Sequence, residues 1–321
     1  MVVMQKNIFK KIGFFLLILF IVLFSLFPFI QMLSTSLKYS WDWGNPSLIP
    51  AKINTEAYQE LLNINQEEKA IPESVKNLLD ETPDLTDQQR AAIIAKFKDA
   101  GDVFPFLKYF KNSLLFSTIA ASVSLIISIF GAYSISRLRY KGRAAIQRGV
   151  LFVYMVGGIL LLIPLYKISV SLGLAKTEQG TVFSLITIYM VQTLPVSLYM
   201  LGNFFRSIPF SIEEAAFVEG CSRVETIWRI IIPLSLGALA TVFVYAFMIA
   251  WNEYLFASVF LKSFKDIFTL PIALKALFVS KNAIWDRIMA ASMLTAVPVV
   301  VLFMFVQKYL AGNMTSGGVK E

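Results

Sequence analysis

Apolar residues in this chain gather into long runs instead of the two- or 3.6-residue periodicities of a soluble domain. Six runs reach the roughly 20 residues that a helix needs to cross a bilayer: 12–33, 110–136, 149–171, 181–205, 234–260 and 287–310. One long polar stretch, 34–109, separates the first two runs. A charged island from Ser211 to Pro233 separates the fourth and fifth, and a polar tail, 311–321, ends the chain. The pattern predicts an all-α integral membrane protein with about six transmembrane helices. Its parts are a tail with the first helix (1–33), an extracytoplasmic loop or subdomain (34–109), a membrane core (110–310) with a cytoplasmic loop at 206–233, and a cytoplasmic tail (311–321).

The island holds two helix-start signals in succession. Ser211 with Glu214, and Ser222 with Glu225, both have the spacing of a capping box. Gly220 between them suits a left-handed C-terminal cap, and Pro233 predicts a stop or kink. The spacing therefore predicts helix, sharp turn, helix, outside the lipid. Val224, Ile227, Trp228 and Ile231 form one apolar stripe on the second helix. On the first, Ala215 and Ala216 make a small face beside Ile212, rimmed by carboxylates. Two readings fit that face: a docking knob for a partner, or an ordinary amphipathic loop helix.

Charge sets the orientation. Arg137, Arg139, Lys141, Arg143 and Arg148 crowd the 137–148 connection, which makes it cytoplasmic by the positive-inside rule. Six spans then place both termini and the island on that side. Lys262, Lys265, Lys275 and Lys281 oppose this, because the 261–286 connection then lies outside, but they are less dense. Lys6, Lys10 and Lys11 precede a first run too long for a signal-peptide core, so it reads as an uncleaved span. Pro28 is tolerable there. The net charge of +8 reflects these flanks and calls for no nucleic acid.

Composition also excludes chemistry. The chain has no histidine and a single cysteine, Cys221, so neither an internal disulfide nor the commonest metal ligand is present, and no metal site is expected. No phosphate-cradling G-x-x-x-x-G-K-[ST] loop occurs, so ATP is not bound here in that way. Within the spans, Glu253 has two readings: a group on a polar pathway, or a headgroup-level residue beside Trp251 and Tyr254 as belt aromatics. With Asn252, Tyr189, Gln192 and Thr193 it makes a candidate translocation path, although single polar residues also tie helices together. Pro164, Pro195 and Pro298 predict kinks. In 34–109, Trp41-Asp42-Trp43-Gly44 opens the segment and weak helices are expected near 55–63 and 86–99. It is either a docking subdomain or a connector without contacts of its own.

Glu214-Ala215-Ala216, two residues, then Glu219-Gly220 resembles the EAA loop of permease subunits of ABC importers, with Glu219 where that family usually has Asp. Ser47-Leu48-Ile49-Pro50, Trp251-Asn252-Glu253-Tyr254 and Gly317-Gly318-Val319-Lys320 are similar to the MalG-type sugar permease. The likeness covers most of the chain and fits poorly around 60–105.

The resemblance implies a non-catalytic permease of a bacterial cytoplasmic membrane. Its partners would be a MalF-type second permease, two ATP-binding subunits that carry the ATP and Mg, and an extracytoplasmic sugar-binding protein; no cofactor sits on this chain. It implies that Glu213, Glu214, Ala215, Ala216, Glu219 and Gly220 couple to the ATPase, and that Gly317, Gly318, Val319 and Lys320 reach between the ATPase subunits. A frayed terminus is the other reading of that tail. The loop with Lys262, Lys265, Pro271 and Lys281 would face the binding protein. Malto-oligosaccharides, or another oligosaccharide or glycoside, are the implied cargo. A secondary transporter or a membrane scaffold are the alternatives from other classes; neither accounts for an acid-rimmed Ala knob between paired capping boxes.

Overall fold

The computed structural model describes residues 2–64, 104–155, 158–279 and 285–315, and every regular element among them is helical. α1 (Val2–Ser36) carries the first apolar run with Pro28 inside it. Its part from Lys11 to Ser36 is apolar on all sides, and its most apolar window is 0% buried in the chain, so its surroundings are lipid or another membrane protein. α2 (Glu56–Leu61) is the helix expected near 55–63; the one expected at 86–99 lies outside the described residues. α3 (Phe106–Arg137) is the second span.

The third apolar run departs from expectation. In place of one straight span it forms α4 (Arg143–Met155) and α5 (Gly158–Ser171), whose axes differ by 95°. The sequence there carries Gly157-Gly158, and glycine is among the poorest helix formers. α6 (Glu178–Ser207) is capped by Thr177, whose hydroxyl accepts from the Gly180 amide, and contains Pro195. The charged island folds as α7 (Phe210–Val218), α8 (Arg223–Thr226), a wide turn at Ile227–Ile231 and α9 (Ile232–Leu234). α10 (Leu236–Trp251) and α11 (Leu255–Phe260) make up the next span, α12 (Leu270–Val279) follows, and α13 (Trp285–Thr315) is the last. Among the described residues, five helical stretches are long and apolar enough to cross a bilayer, six if the bent α4–α5 pair is one crossing.

The contacts divide the chain into two compact units: Met1–Leu107 with Ala276–Leu294, and Lys108–Lys275 with Thr295–Glu321. In the first, the loop after α1 closes on itself around a buried lysine. The Lys38 ammonium donates to the Asn45 and Ser47 carbonyls at 2.7 Å each, and the Asp42 carboxylate accepts from the Ala51 amide and the Asn45 side chain at 3.0 Å each. The Ser47–Pro50 segment is therefore the outer turn of a locally cross-braced loop. Trp41 stacks on Tyr39 with 66% of its surface exposed. Arg287, at the start of α13, pairs with Glu60 of α2 at 2.5 Å.

The second unit has two buried layers. In one, Phe116 and Ala120 of α3 pack with Leu185, Ile188 and Tyr189 of α6 and with Phe256, Ala257 and Phe260 of α11. In the other, Ile129, Ala132 and Tyr133 meet Leu201 and Phe205 of α6, Ile227 and Ile231 of the island, and Leu239 and Val242 of α10. Small residues let the spans approach: Ser117, Ala120, Ala121, Ser124, Ser128 and Ala132 are all buried along α3. Hydroxyls cross-link them, Thr193 to Ser124 and Ser169 to Ser184, each at 2.8 Å.

Candidate functional site

The island is where exposed charge and buried charge meet. α7 begins at Phe210 with Pro209 as its N-cap and no side-chain cap bond. The expected Ser211–Glu214 capping box is therefore absent: proline, with its fixed φ, sets the helical entry two residues early and leaves Ser211 inside the first turn. The second box is present. Ser222 Oγ accepts from the Glu225 amide at 3.3 Å, and the Glu225 carboxylate accepts from the Ser222 amide at 2.8 Å. That backbone bond, followed by the Ser222 hydroxyl, holds the Glu225 carboxyl below its ordinary value.

Between the helices Gly220 adopts φ +87°. The Gly220 amide donates to the Phe217 carbonyl and the Cys221 amide to the Ala216 carbonyl, at 3.1 and 2.9 Å. These two bonds are the paired signature of a Schellman C-cap. The stop or kink expected at Pro233 is present as a distorted turn before it and a helix end just after it, at Leu234. The turn before it widens to i→i+5 bonding over Ile227–Ile231, which makes room for a proline ring that would otherwise crowd the preceding carbonyls. Of the predicted apolar stripe, Ile227 and Ile231 are buried, while Val224 and Trp228 are more than half exposed; Trp228 meets Phe130 edge-on at 6.5 Å.

The two neighbouring carboxylates of α7 part company. Successive helical residues point about 100° apart, so only one of them faces the protein. Glu213 is fully buried: one oxygen lies 2.6 Å from Arg137 Nε and the other accepts from the Tyr133 hydroxyl at 3.0 Å. Arg137 also donates to the Ile208 carbonyl at 2.7 Å and lies over the Phe210 ring. Removing one partner from such a buried pair costs on the order of 3–5 kcal/mol, because the other charge is stranded. Ala216, one turn on from Glu213, is buried as well. Glu214, Ala215, Glu219 and Gly220 are exposed, as is Val218 at 90%. The six candidate coupling residues thus split into an inward pair, Glu213 and Ala216, and an outward four.

Reasoning from sequence missed Arg137, Tyr133 and Val218. Arg137 looked like one more topological charge. The available signal was periodicity: Tyr133 and Arg137 are four apart on α3, and Glu213 and Ala216 three apart on α7.

The candidate path residues are mostly engaged in local structure. The Asn252 side chain donates to the Met248 carbonyl at 2.9 Å, closing the end of α10. Glu253 accepts from the Phe256 and Ala257 amides at 2.8 and 3.0 Å and so caps α11; the buried Tyr189 hydroxyl lies close to it. Thr193 is tied to Ser124 and to its own helix, and Gln192 is half-buried. Trp251 is not a belt residue. It is 2% exposed, stacked on Phe247 and edge-on to Phe110, because its ring fills the core instead of the headgroup level.

On the loop after α11, Lys262 and Lys265 are exposed. Lys275 donates to the Tyr254 hydroxyl at 2.6 Å and Lys108 pairs with Asp266. Pro271 sits in the first turn of α12, where a missing amide costs nothing. Lys281 lies outside the described residues. So do Gly317, Gly318, Val319 and Lys320; the helix α13 itself continues through Thr315, past the boundary expected between the membrane core and the 311–321 tail.

Residues 124–316 match the model of the binding-protein-dependent transport system inner membrane component family. The chain is 38% identical to the inner membrane ABC transporter permease protein YcjP of Escherichia coli, over 98% of this chain and 99% of that protein. It is 35% identical to the trehalose/maltose transport system permease protein MalG of Thermococcus litoralis, over 67% of this chain and 76% of that one. Its fold matches a chain in the crystal structure of a bacterial ABC transporter involved in the import of the acidic polysaccharide alginate, with a TM-score of 0.70, 23% identity, and coverage of 95% and 97%. An all-α chain with five to six membrane-crossing helices, bearing an exposed helical knob on a buried mount, this protein belongs to the family of inner membrane permease components of binding-protein-dependent ABC transport systems.

Proposed function

We propose that this chain is the non-catalytic permease half of an ATP-driven oligosaccharide importer, and that it turns closure of two ATP-hydrolysing subunits into opening of a central cavity toward an extracytoplasmic binding protein. The observation that carries the reading is α7, whose outward face offers Glu214, Ala215, Val218 and Glu219 while its inward face is locked to α3. Small side chains admit a partner backbone, Val218 supplies an apolar contact, and the two carboxylates take basic residues of the ATPase. ATP and Mg belong to that partner. A second permease and the C-terminal tail, residues 317–320, complete the contact with the ATPase pair.

Malto-oligosaccharide is the favoured cargo, supported by the trehalose/maltose name of one relative; another oligosaccharide fits the same machinery. Tyr189, Gln192 and Glu253 would face the path, with Thr193 and Asn252 shaping it through the helices they brace. The neighbouring binding protein's affinity for defined sugars decides the cargo.

Glu214→Arg tests the coupling role. It reverses an exposed charge without touching the α7 mount, so the chain should insert normally, while co-purification with the ATPase and sugar-stimulated ATP hydrolysis both fall. A purified Glu214→Arg complex with normal sugar-stimulated hydrolysis would refute the reading.

A further inference from the structure

Three contacts join α7 to α3 and a fourth joins α3 to Ile208, which ends α6 just before α7; all four converge on one guanidinium and one carboxylate. Tyr133 and Arg137 lie one turn apart at the end of α3, so both side chains leave the same face. The Glu213 carboxylate accepts from the Tyr133 hydroxyl at 3.0 Å and meets Arg137 Nε at 2.6 Å. A second arm of Arg137 donates to the Ile208 carbonyl at 2.7 Å, and the guanidinium plane covers Phe210. The side chains of Arg137 and Glu213 are 9% and 0% exposed. An arginine in the last turn of α3 and a glutamate in the first turn of α7 also each complement the local helix dipole.

We propose that Arg137 and Glu213 are positioning residues that clamp the knob to the second span, so that α7 and the end of α3 move as one body. This rests on the reading of α7 as the surface the ATPase engages. Neither residue touches a partner; a fully buried carboxylate has no surface to offer one. Without the clamp, α7 is held to the rest of the unit mainly by the apolar face around Ala216 and by its chain connections. A push from the ATPase is then absorbed by tilting the short helix instead of moving the 32-residue α3. The planar guanidinium, with several donors in fixed directions, suits this task in a way that a lysine does not.

The test uses the assembled complex with cysteine-free partner subunits and two spin labels. One sits on Cys221, the chain's single cysteine, at the end of α7; the other replaces exposed Arg139 just past α3, as Arg139→Cys. With the clamp intact the label-to-label distance is narrow and unchanged between nucleotide-free and ATP-bound complexes. Glu213→Gln should broaden it and lower sugar moved per ATP about tenfold, within the usual range of a coupling free energy, while the ATPase still co-purifies. Arg137→Lys, which keeps the charge and loses the second arm, should fall between the two. Unchanged distances together with unchanged sugar per ATP in Glu213→Gln overturn the proposal. Should Glu213→Gln fail to reach the membrane, Tyr133→Phe decides on the same two readouts: it removes one hydrogen bond, and wild-type behaviour on both counts against the clamp. The two ideas fail separately. A Glu214→Arg complex that assembles and transports normally sinks the knob, whereas loss of assembly in Glu214→Arg beside a normal Glu213→Gln sinks the clamp alone.

Discussion

Gly220 controls how the knob is presented, and its environment allows the effect of substitution to be worked out. Its φ is +87°, and a Cβ built there meets nothing within 4 Å. Side-chain space is therefore not at issue, and the whole cost is conformational. For most L-residues the left-handed region costs about 1–2 kcal/mol, while asparagine visits it routinely; a β-branched side chain is the worst placed. Two hydrogen bonds, at 3.1 and 2.9 Å, close on this turn, and both are lost if residue 220 leaves that region. One to two kcal/mol is a factor of roughly 5–30 in the population of the presented turn. The expected order is therefore Gly, Asn, Ala, Val, from best to worst, both in thermal unfolding of the solubilised chain and in the amount of ATPase retained on purification. Valine equal to glycine would refute the argument. Asparagine as damaging as valine would refute it too, since it would point to a lack of space instead of backbone strain.

Three more outcomes follow from particular contacts. Gly180→Ala places a Cβ 2.3 Å from the Leu174 carbonyl oxygen, and because backbone must move, thermal stability should drop by about 1–3 kcal/mol; an unchanged unfolding temperature would contradict the close approach. The Glu225 carboxyl is held below its ordinary value by the Ser222 amide. Its contribution is therefore complete above the ordinary carboxylate range and lost as pH falls through the lowered value. Glu225→Gln should remove that acid-side loss, and unfolding scans of both chains from neutral to acid pH check it. Lys262 and Lys265 are exposed and make no ion pair among the described residues. If they steer an acidic patch of the binding protein, changing Lys262, Lys265 and Lys281 to Gln slows docking and flattens its salt dependence, as stopped-flow rates at low and high salt will show.

How much of this was legible in the sequence depends on what each signal measures. Apolar runs report the lipid-facing length directly, so five spans appear where the runs predict them. The third run was as apolar as the others, and hydropathy carries no information about direction, so the 95° break between α4 and α5 could be sensed only through Gly157-Gly158. Caps were half legible. Ser222–Glu225 formed its box because nothing competed for the helix start, while Pro209 pre-empted Ser211 by fixing the backbone earlier. Trp251 next to Asn252 and Glu253 looked like an interface residue, yet its ring found Phe247 and Phe110, contacts set by tertiary approach and invisible in local sequence.

The deeper difficulty lies with charge, because a formal charge has two quite different uses in a membrane protein. Arg137 sits within a run of five basic residues whose shared bias orients the chain, and a residue that fits a collective rule attracts no separate explanation. Glu213 sits beside Glu214 in a motif read as a unit. What separates Arg137 from Arg139, and Glu213 from Glu214, is the helical angle of each residue relative to a neighbour that the linear sequence does not name. A buried charge is stable only when its partner arrives with it, so the two exceptions had to be each other's explanation. Seventy-six positions apart in the chain, they meet at 2.6 Å. The general consequence for such permeases is testable by inspection: where a coupling loop carries two adjacent acids, the inward one should have a basic residue at the end of the preceding span it packs against, one turn from a hydroxyl or amide donor. A chain that keeps the inward acid and lacks any such cation would be expected to seat it differently.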